Sequence, residues 1–310
     1  MFIIRNRKLF IGISATLVLA SIVVLSVFGL KFGIEFKGGT FAEVSYPDSR
    51  PEQSLVKEMI EKSSIKSALI QPTGTNGYII KTHSLSESER KELLNGLSFS
   101  GTMKVEEKSY TNIGPSVGKE LARKSIVSII LVIIVISSFI AYAFRKVSVT
   151  NTEKEYVSSW SYGFIAIIAL IHDVIVPSGI FALVAHYTGA EVDTLFVVAL
   201  LTVLGLSIAD TIVVFDRIRE NLRFNQENRI DEKFKNTVGK SIGQAFTRSI
   251  NTSLTVILAL VALLVFGPES TLYFAFFLTI RMFFGTYSSI FLASPLLVMF
   301  EEFKNRKANK

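Results

Sequence analysis

The sequence predicts a polytopic α-helical membrane protein with six transmembrane helices and one α+β domain of ferredoxin-like order between the first helix and the second. Three observations carry this reading. Hydrophobic residues make up 49% of the 310 residues and charged residues only 19%, where an ordinary soluble domain is about one quarter charged. The charges are clustered, which leaves six stretches near the ~20 apolar residues that cross a bilayer. The stretch 31–123 holds 13 basic and 12 acidic residues and alternates strand and helix signals.

The elements follow in chain order. Residues 1–9 form a short N-tail and 10–30 the first span. Arg5, Arg7 and Lys8 ahead of it give it the look of a signal peptide. Its ~20 apolar residues and the lack of a small-x-small cleavage site mark it instead as a retained anchor. In the domain 31–123, Thr40–Tyr46 alternates and is rich in β-formers. Pro51–Ser63 reads as a helix, with Pro51 in the first turn and Leu55, Val56, Met59 and Ile60 on one stripe. Lys66–Gln71 and Tyr78–Thr82 read as strands joined by the turn cluster 72–77. Ser86 with Glu89 is a capping box opening a helix that ends near Gly96, and Thr102–Tyr110 is the last strand. The order β-α-β-β-α-β is the split βαβ unit. The remaining spans are 124–144, 161–185, 192–214, 249–267 and 271–299. Residues 215–248 read as a basic loop leading into the fifth span, and 300–310 as a C-tail.

Lys and Arg counts orient these spans. The N-tail carries three, the 145–160 loop three (Arg145, Lys146, Lys154), the 215–248 stretch eight and the C-tail four; the connections 186–193 and 267–270 carry none. By the positive-inside rule both termini, the 145–160 loop and the 215–248 stretch are cytoplasmic, and 31–123 lies outside the cytoplasmic membrane. The net charge of +7 is thus an orientation signal and not a nucleic-acid footprint. The chain has no Cys, no P-loop, no nucleophile-base constellation and no metal-ligand spacing, so the reading includes no enzyme activity, no metal and no cofactor.

Ionisable side chains at membrane depth are functional candidates. At a rise of about 1.5 Å per residue, Asp210 lies about 25 Å and Arg248 about 27 Å from the outer ends of their helices. These are opposite charges at matched depth on consecutive spans. Asp173, beside His172, comes at about 20 Å and Arg281 at about 16 Å. Ser207, Asp210 and Thr211 share one helix face, as do Arg248, Asn251, Thr252 and Thr255. A carboxylate desolvated beside an arginine is able to bind and release a proton as small movements change its surroundings. Each site also has a plainer account: Arg248 snorkelling from a helix end, Asp210 at the interface, His172–Asp173 as an interhelical pair, Arg281 as a structural counter-ion to Asp173 or Asp210.

Three stretches resemble one family. Gly33-Ile-Glu-Phe-Lys-Gly-Gly-Thr40 follows the first span, Ile113-Gly-Pro-Ser-Val-Gly-Lys-Glu-Leu121 precedes the second, and 206–222 (Leu206 to Leu222, including Asp210, Asp216 and Arg217) closes the fourth. With His172-Asp173 and Gly285-Thr-Tyr-Ser-Ser289, they are similar to SecF proteins of the SecD/SecF family of protein-export membrane subunits, within the resistance-nodulation-division superfamily. The resemblance implies a SecD-like partner, work beside the SecYEG channel on translocating preproteins, and use of the proton-motive force. It also implies proton-relay roles for Asp210 and Arg248, and motif roles for Gly33, Glu35, Gly38, Gly39, Gly114, Pro115, Asp216 and Arg217. Glu35 stands where the family usually has Asp, Ala209 where Asn is usual, and Arg281 where a small or apolar residue is expected. Gly38-Gly39 and Gly114-Pro115 are placed to serve as hinges or as tight turns. Two other functions fit the residues: a proton-coupled solute-transporter half, and a non-transporting scaffold subunit.

Overall fold

A computed structural model of the chain describes residues 2–65, 68–143, 149–150, 156–157, 159–268 and 271–308. The first two residues of the strand expected at 66–71, and Arg145, Lys146 and Lys154 of the basic 145–160 loop, lie outside the described residues. In chain order the elements are α1 (Phe2–Arg5), α2 (Arg7–Phe28), α3 (Ile34–Lys37), β1 (Gly39–Ser45), α4 (Gln53–Glu61), β2 (Leu69–Thr73), β3 (Gly77–Thr82), α5 (Glu87–Leu97), β4 (Glu106–Ile113), α6 (Pro115–Ala143), β5 (Val149–Thr150), β6 (Tyr156–Val157), α7 (Ser159–Thr188), α8 (Thr194–Glu227), α9 (Phe234–Phe266), α10 (Leu272–Tyr287), a π-helical segment (Ser288–Ala293) and α11 (Ser294–Ala308). They form two units: residues 1–31, 128–190 and 195–310, and residues 32–127 with 191–194.

The first unit is helical. Among the described residues, six helical stretches are long and apolar enough to cross a membrane: α2, α6, α7, α8, α9 and the run from Leu272 to Arg306. Burial sorts them. In the most apolar window, 56% of α7, 44% of α8 and 61% of the last run are buried, against 11% of α2, 6% of α6 and 11% of α9. The first three are therefore the inner helices. Their core joins Ala169, Leu204, Phe215, Ile218, Ala293 and Leu297. Exposed Leu19, Ile130, Val265 and Phe266 suit a hydrocarbon surround, where apolar surface carries no penalty.

Two features differ from expectation or add to it. The 215–248 stretch is mostly helix, with only 228–233 between α8 and α9. Polar side chains knit this hairpin. Asn225 donates to Glu232 Oε2 and Thr237 Oγ1, both at 3.1 Å, and Asn221 to Ser241 Oγ and Gln244 Oε1, both at 2.8 Å. Counting charges finds a polar stretch but not the helical pairing that satisfies it. The last span is interrupted by the π-helical segment 288–293, a departure that costs hydrogen-bond geometry and occurs frequently at functional sites.

The second unit has the expected order. Its sheet runs β2-β3-β1-β4, with all neighbours antiparallel and a register shift at Glu43/Val44. Ala42, Val44 and Ile80 from the central strands pack on Val56 and Ile60 of α4 and Leu93 and Leu97 of α5. Truncating one of these Ile or Leu side chains to Ala costs about 2–5 kcal/mol. The capping box at Ser86 and Glu89 is present with both of its bonds. The buried Tyr46 hydroxyl donates to the Leu97 carbonyl at 3.0 Å, and burial pushes its phenol up to about 12. The last strand starts four residues later than the pattern suggests. Phe99, Ser100 and Gly101 all take positive φ, and the turn they make extends through Thr102 and Met103, whose N–H groups donate to the Phe99 carbonyl at 3.3 Å and the Ser98 carbonyl at 2.9 Å.

Candidate proton site in the membrane helices

The inner helices bring together most of the ionisable groups expected at depth. Asp173 on α7 is fully buried. One of its oxygens is 3.0 Å from His172 Nδ1, and the other accepts from the Ser207 hydroxyl of α8. One turn further along α8, Thr211 Oγ1 is 3.1 Å from Ser289 Oγ, inside the π-helical segment. The i, i+3, i+4 face of α8 is therefore real, and it meets both α7 and the last span. Asp210 on this face is half-buried and accepts no hydrogen bond from any described residue. Its charge interactions are with Arg281, attractive, and Asp173, repulsive.

Arg281 is fully buried on α10. Its charge interactions are with Asp173 and then Asp210. Nη1 donates to the Met282 thioether at 3.4 Å, a weak acceptor, while Nε and Nη2 have no hydrogen-bond partner. An ideal Cβ on Gly285 would lie 2.9 Å from the Arg281 Cζ and 3.0 Å from Nη1. The guanidinium thus lies over the glycine one turn on along its own helix. Next to it, Thr286 donates to Ser253 of α9 at 2.5 Å.

Arg248 is placed differently. It is exposed on α9, with Asn251, Thr252 and Thr255 exposed beside it, while Ser249 and Ser253 on the same helix are buried. Among the described residues no ion pair joins Arg248 to Asp210. Among the described residues the cation whose charge interacts with Asp210 is Arg281.

The remaining motif residues serve local structure. Gly38 has φ +80, and a Cβ there would lie 2.7 Å from the Pro115 Cα; a Cβ on Gly118 would lie 2.6 Å from Gly38 N. Gly38-Gly39 and Gly114-Pro115 therefore meet in a close backbone junction. Gly33 N–H donates to the Val192 carbonyl at 2.9 Å. Burial pushes the Glu35 carboxyl above its ordinary range; a backbone hydrogen bond opposes this, Asp193 adds to it, Lys81 opposes it and Glu191 adds to it. Lys81 pairs with Glu191 at 2.6 Å. Asp216 and Arg217 lie on the extension of α8, in pairs with Arg219 at 3.7 Å and Glu220 at 2.8 Å; exposed pairs of this kind are worth little. Sequence reasoning did not foresee the π-helical segment, the carboxylate contact of Ser207 or the seat at Gly285. The last had a signal: a glycine four residues after an intramembrane arginine.

Comparison with known proteins gives a consistent picture. A family model described as "Protein export membrane protein SecD/SecF, C-terminal" matches residues 96–303, and one described as "SecD/SecF GG Motif" matches residues 23–46. The chain is 40% identical over 310 residues to the "Protein translocase subunit SecF" of Thermobaculum terrenum, covering 96% of this chain and 93% of the relative. It is 34% identical over 303 residues to that of Anaerolinea thermophila, covering 96% and 94%. The crystal structure of SecDF, a translocon-associated membrane protein from Thermus thermophilus, superposes with a TM-score of 0.79 at 28% identity. That match covers 96% of this chain and 38% of the SecDF chain.

Proposed function

The chain belongs to the SecD/SecF family of protein-export membrane proteins, and from that premise we propose that it is the SecF-type subunit of the Sec machinery, coupling proton flow to the outward movement of preproteins. The observation that carries this reading is the polar layer of Asp173, Ser207, Asp210, Thr211 and Arg281 on the inner helices. A bundle that only needs to stand in lipid does not place two carboxylates and an arginine at that depth, because each is costly there. Asp210, free of donors, is the group that takes up and releases the proton.

The second half of the proposal is a SecD-like partner beside the SecYEG channel, in the cytoplasmic membrane, with both termini cytoplasmic and 31–123 outside. The exposed stripe Arg248, Asn251, Thr252 and Thr255 supports a partner. A charged stripe facing lipid is unfavourable, and helix-helix contacts in membranes satisfy such groups across the interface. Arg248 would then join the proton path from the partner-facing side. The SecDF chain being much longer than this one agrees with a further set of helices supplied by another chain.

The test is preprotein translocation in membrane vesicles carrying the chain and its co-expressed partner, with and without a proton gradient. Asp210→Asn keeps the shape and loses the titrating group. It is expected to accumulate and assemble normally and to abolish the gradient-dependent part of translocation. Full gradient dependence in Asp210→Asn, at normal complex levels, would favour the scaffold reading instead.

A further inference from the structure

Resting on the reading of Asp210 as the titrating group, we propose that Arg281 is the resident cation of the proton site, seated on Gly285, anchored to Asp173 and shared with Asp210 as the proton comes and goes. The burial of Arg281 is the first support. A guanidinium carries five donors, and here two nitrogens have no partner and a third has only a thioether. Left to packing alone, such a group in a bilayer interior is strongly unfavourable. The seat is the second support. Any residue other than glycine at 285 would occupy the space of the guanidinium, and the π-helical segment that follows brings Ser289 to Thr211 on the Asp210 helix.

The distribution of charge is the third. From α7 the groups facing this layer are His172 and Asp173; from α8, Asp210. α9 contributes Arg248, which is exposed. α2 carries no charge beyond Arg7 and Lys8 at its start, and α11 none before Glu301. Among the described residues, one buried cation therefore lies in electrostatic reach of two carboxylates. They are not equivalent: Asp173 is fixed by Ser207 and His172, whereas Asp210 has no donor. Proton release from Asp210 to water on one side breaks one O–H bond and leaves a second anion beside Arg281. Proton uptake from the other side remakes that bond and leaves Arg281 to Asp173. No electron moves, and the arginine keeps its proton throughout. A cation alternating between one anion and two has a reason to shift along its helix, which ties the proton to movement of α10.

The experiment measures gradient-driven preprotein translocation from pH 6 to pH 9 in vesicles containing the full complex. Removing a cation favours the protonated carboxyl. Arg281→Met is expected to move the midpoint of the pH profile to higher pH by at least about one unit and to lower the gradient-dependent rate at pH 7 about tenfold. Arg281→Lys keeps the charge and should restore most of the rate and the original midpoint. Gly285→Ala keeps every charge and displaces the guanidinium; it should shift the midpoint the same way by a smaller amount, and it decides the matter if Arg281→Met does not accumulate. A midpoint unmoved in Arg281→Met, or in Gly285→Ala where that variant decides, overturns the proposal even if the rate falls uniformly. If Asp210→Asn abolishes gradient dependence while Arg281→Met behaves like the parent, this inference falls and the proposed function stands. If Asp210→Asn retains gradient dependence, both fall.

Discussion

Two arginines at membrane depth, one helix apart in the chain, meet opposite surroundings. Arg281 on α10 is fully buried with Asp173 and Asp210 in electrostatic reach, whereas Arg248 on α9 is exposed in a polar stripe. From sequence, both are cations in apolar runs. The difference lies in which face of each helix turns inward. On α9 the inward face is Ser249 and Ser253, two small residues that let α10 approach closely, and Arg248 is adjacent to that face rather than on it. On α10 the inward face carries Arg281 itself, and Gly285 gives it room. A buried arginine without close pairing is a working charge or a liability.

Breaking the inner half of this contrast should have the largest effect. Asp173→Leu removes an anion in electrostatic reach of Arg281 and leaves the Ser207 hydroxyl without its acceptor. Removing one partner of a buried pair costs about 3–5 kcal/mol. The full chain is expected to lose most of its accumulation in membranes, read by immunoblot against the parent. Normal accumulation and an unchanged melting temperature in detergent would show that Arg281 does not depend on Asp173.

A smaller effect sharpens the contrast between carboxylates. Asp173 is held by donors, whereas Glu35 in the second unit is pressed by burial and by the like charges of Asp193 and Glu191. A folded-state carboxyl above its ordinary value of 4.5 keeps a proton that the unfolded chain gives up. Stability therefore falls as pH rises from that ordinary value through the raised one. Glu35→Gln should remove this slope. Hydrogen exchange of residues 34–45 in the full chain should be faster at pH 7 than expected from chemistry alone when compared with pH 5, and the variant should lose the excess. An unchanged excess in Glu35→Gln would place its origin elsewhere.

The fold was largely readable because its signals are local. Hydropathy runs locate helices whose apolar length is set by the bilayer, and the Ser86–Glu89 capping box and the alternation in 40–46 are short-range patterns. The site was readable only in part. Residue type and depth single out Asp173, Asp210, Arg248 and Arg281, since depth follows from a fixed rise per residue. Facing does not follow from depth. The rotation of α9 that turns Arg248 outward is decided by the packing of Ser249 and Ser253 on neighbours distant in sequence. The π-helical segment at 288–293 likewise arises from tertiary contacts, because Ser-Ser-Ile-Phe-Leu-Ala carries no sequence signal against an ordinary helix.

The most direct measurement of the central claim is a pair of double-mutant cycles on thermal unfolding of the full chain in detergent. One joins Asp173→Asn with Arg281→Met, and the other joins Asp173→Asn with Arg248→Met. Residues in one buried network couple by about 0.5–3 kcal/mol, while distant sites add within about 0.3–0.5 kcal/mol. The structure calls for clear coupling in the first cycle and simple additivity in the second. Additivity between Asp173 and Arg281, with coupling appearing instead between Asp173 and Arg248, would contradict the assignment of Arg281 as the interior cation.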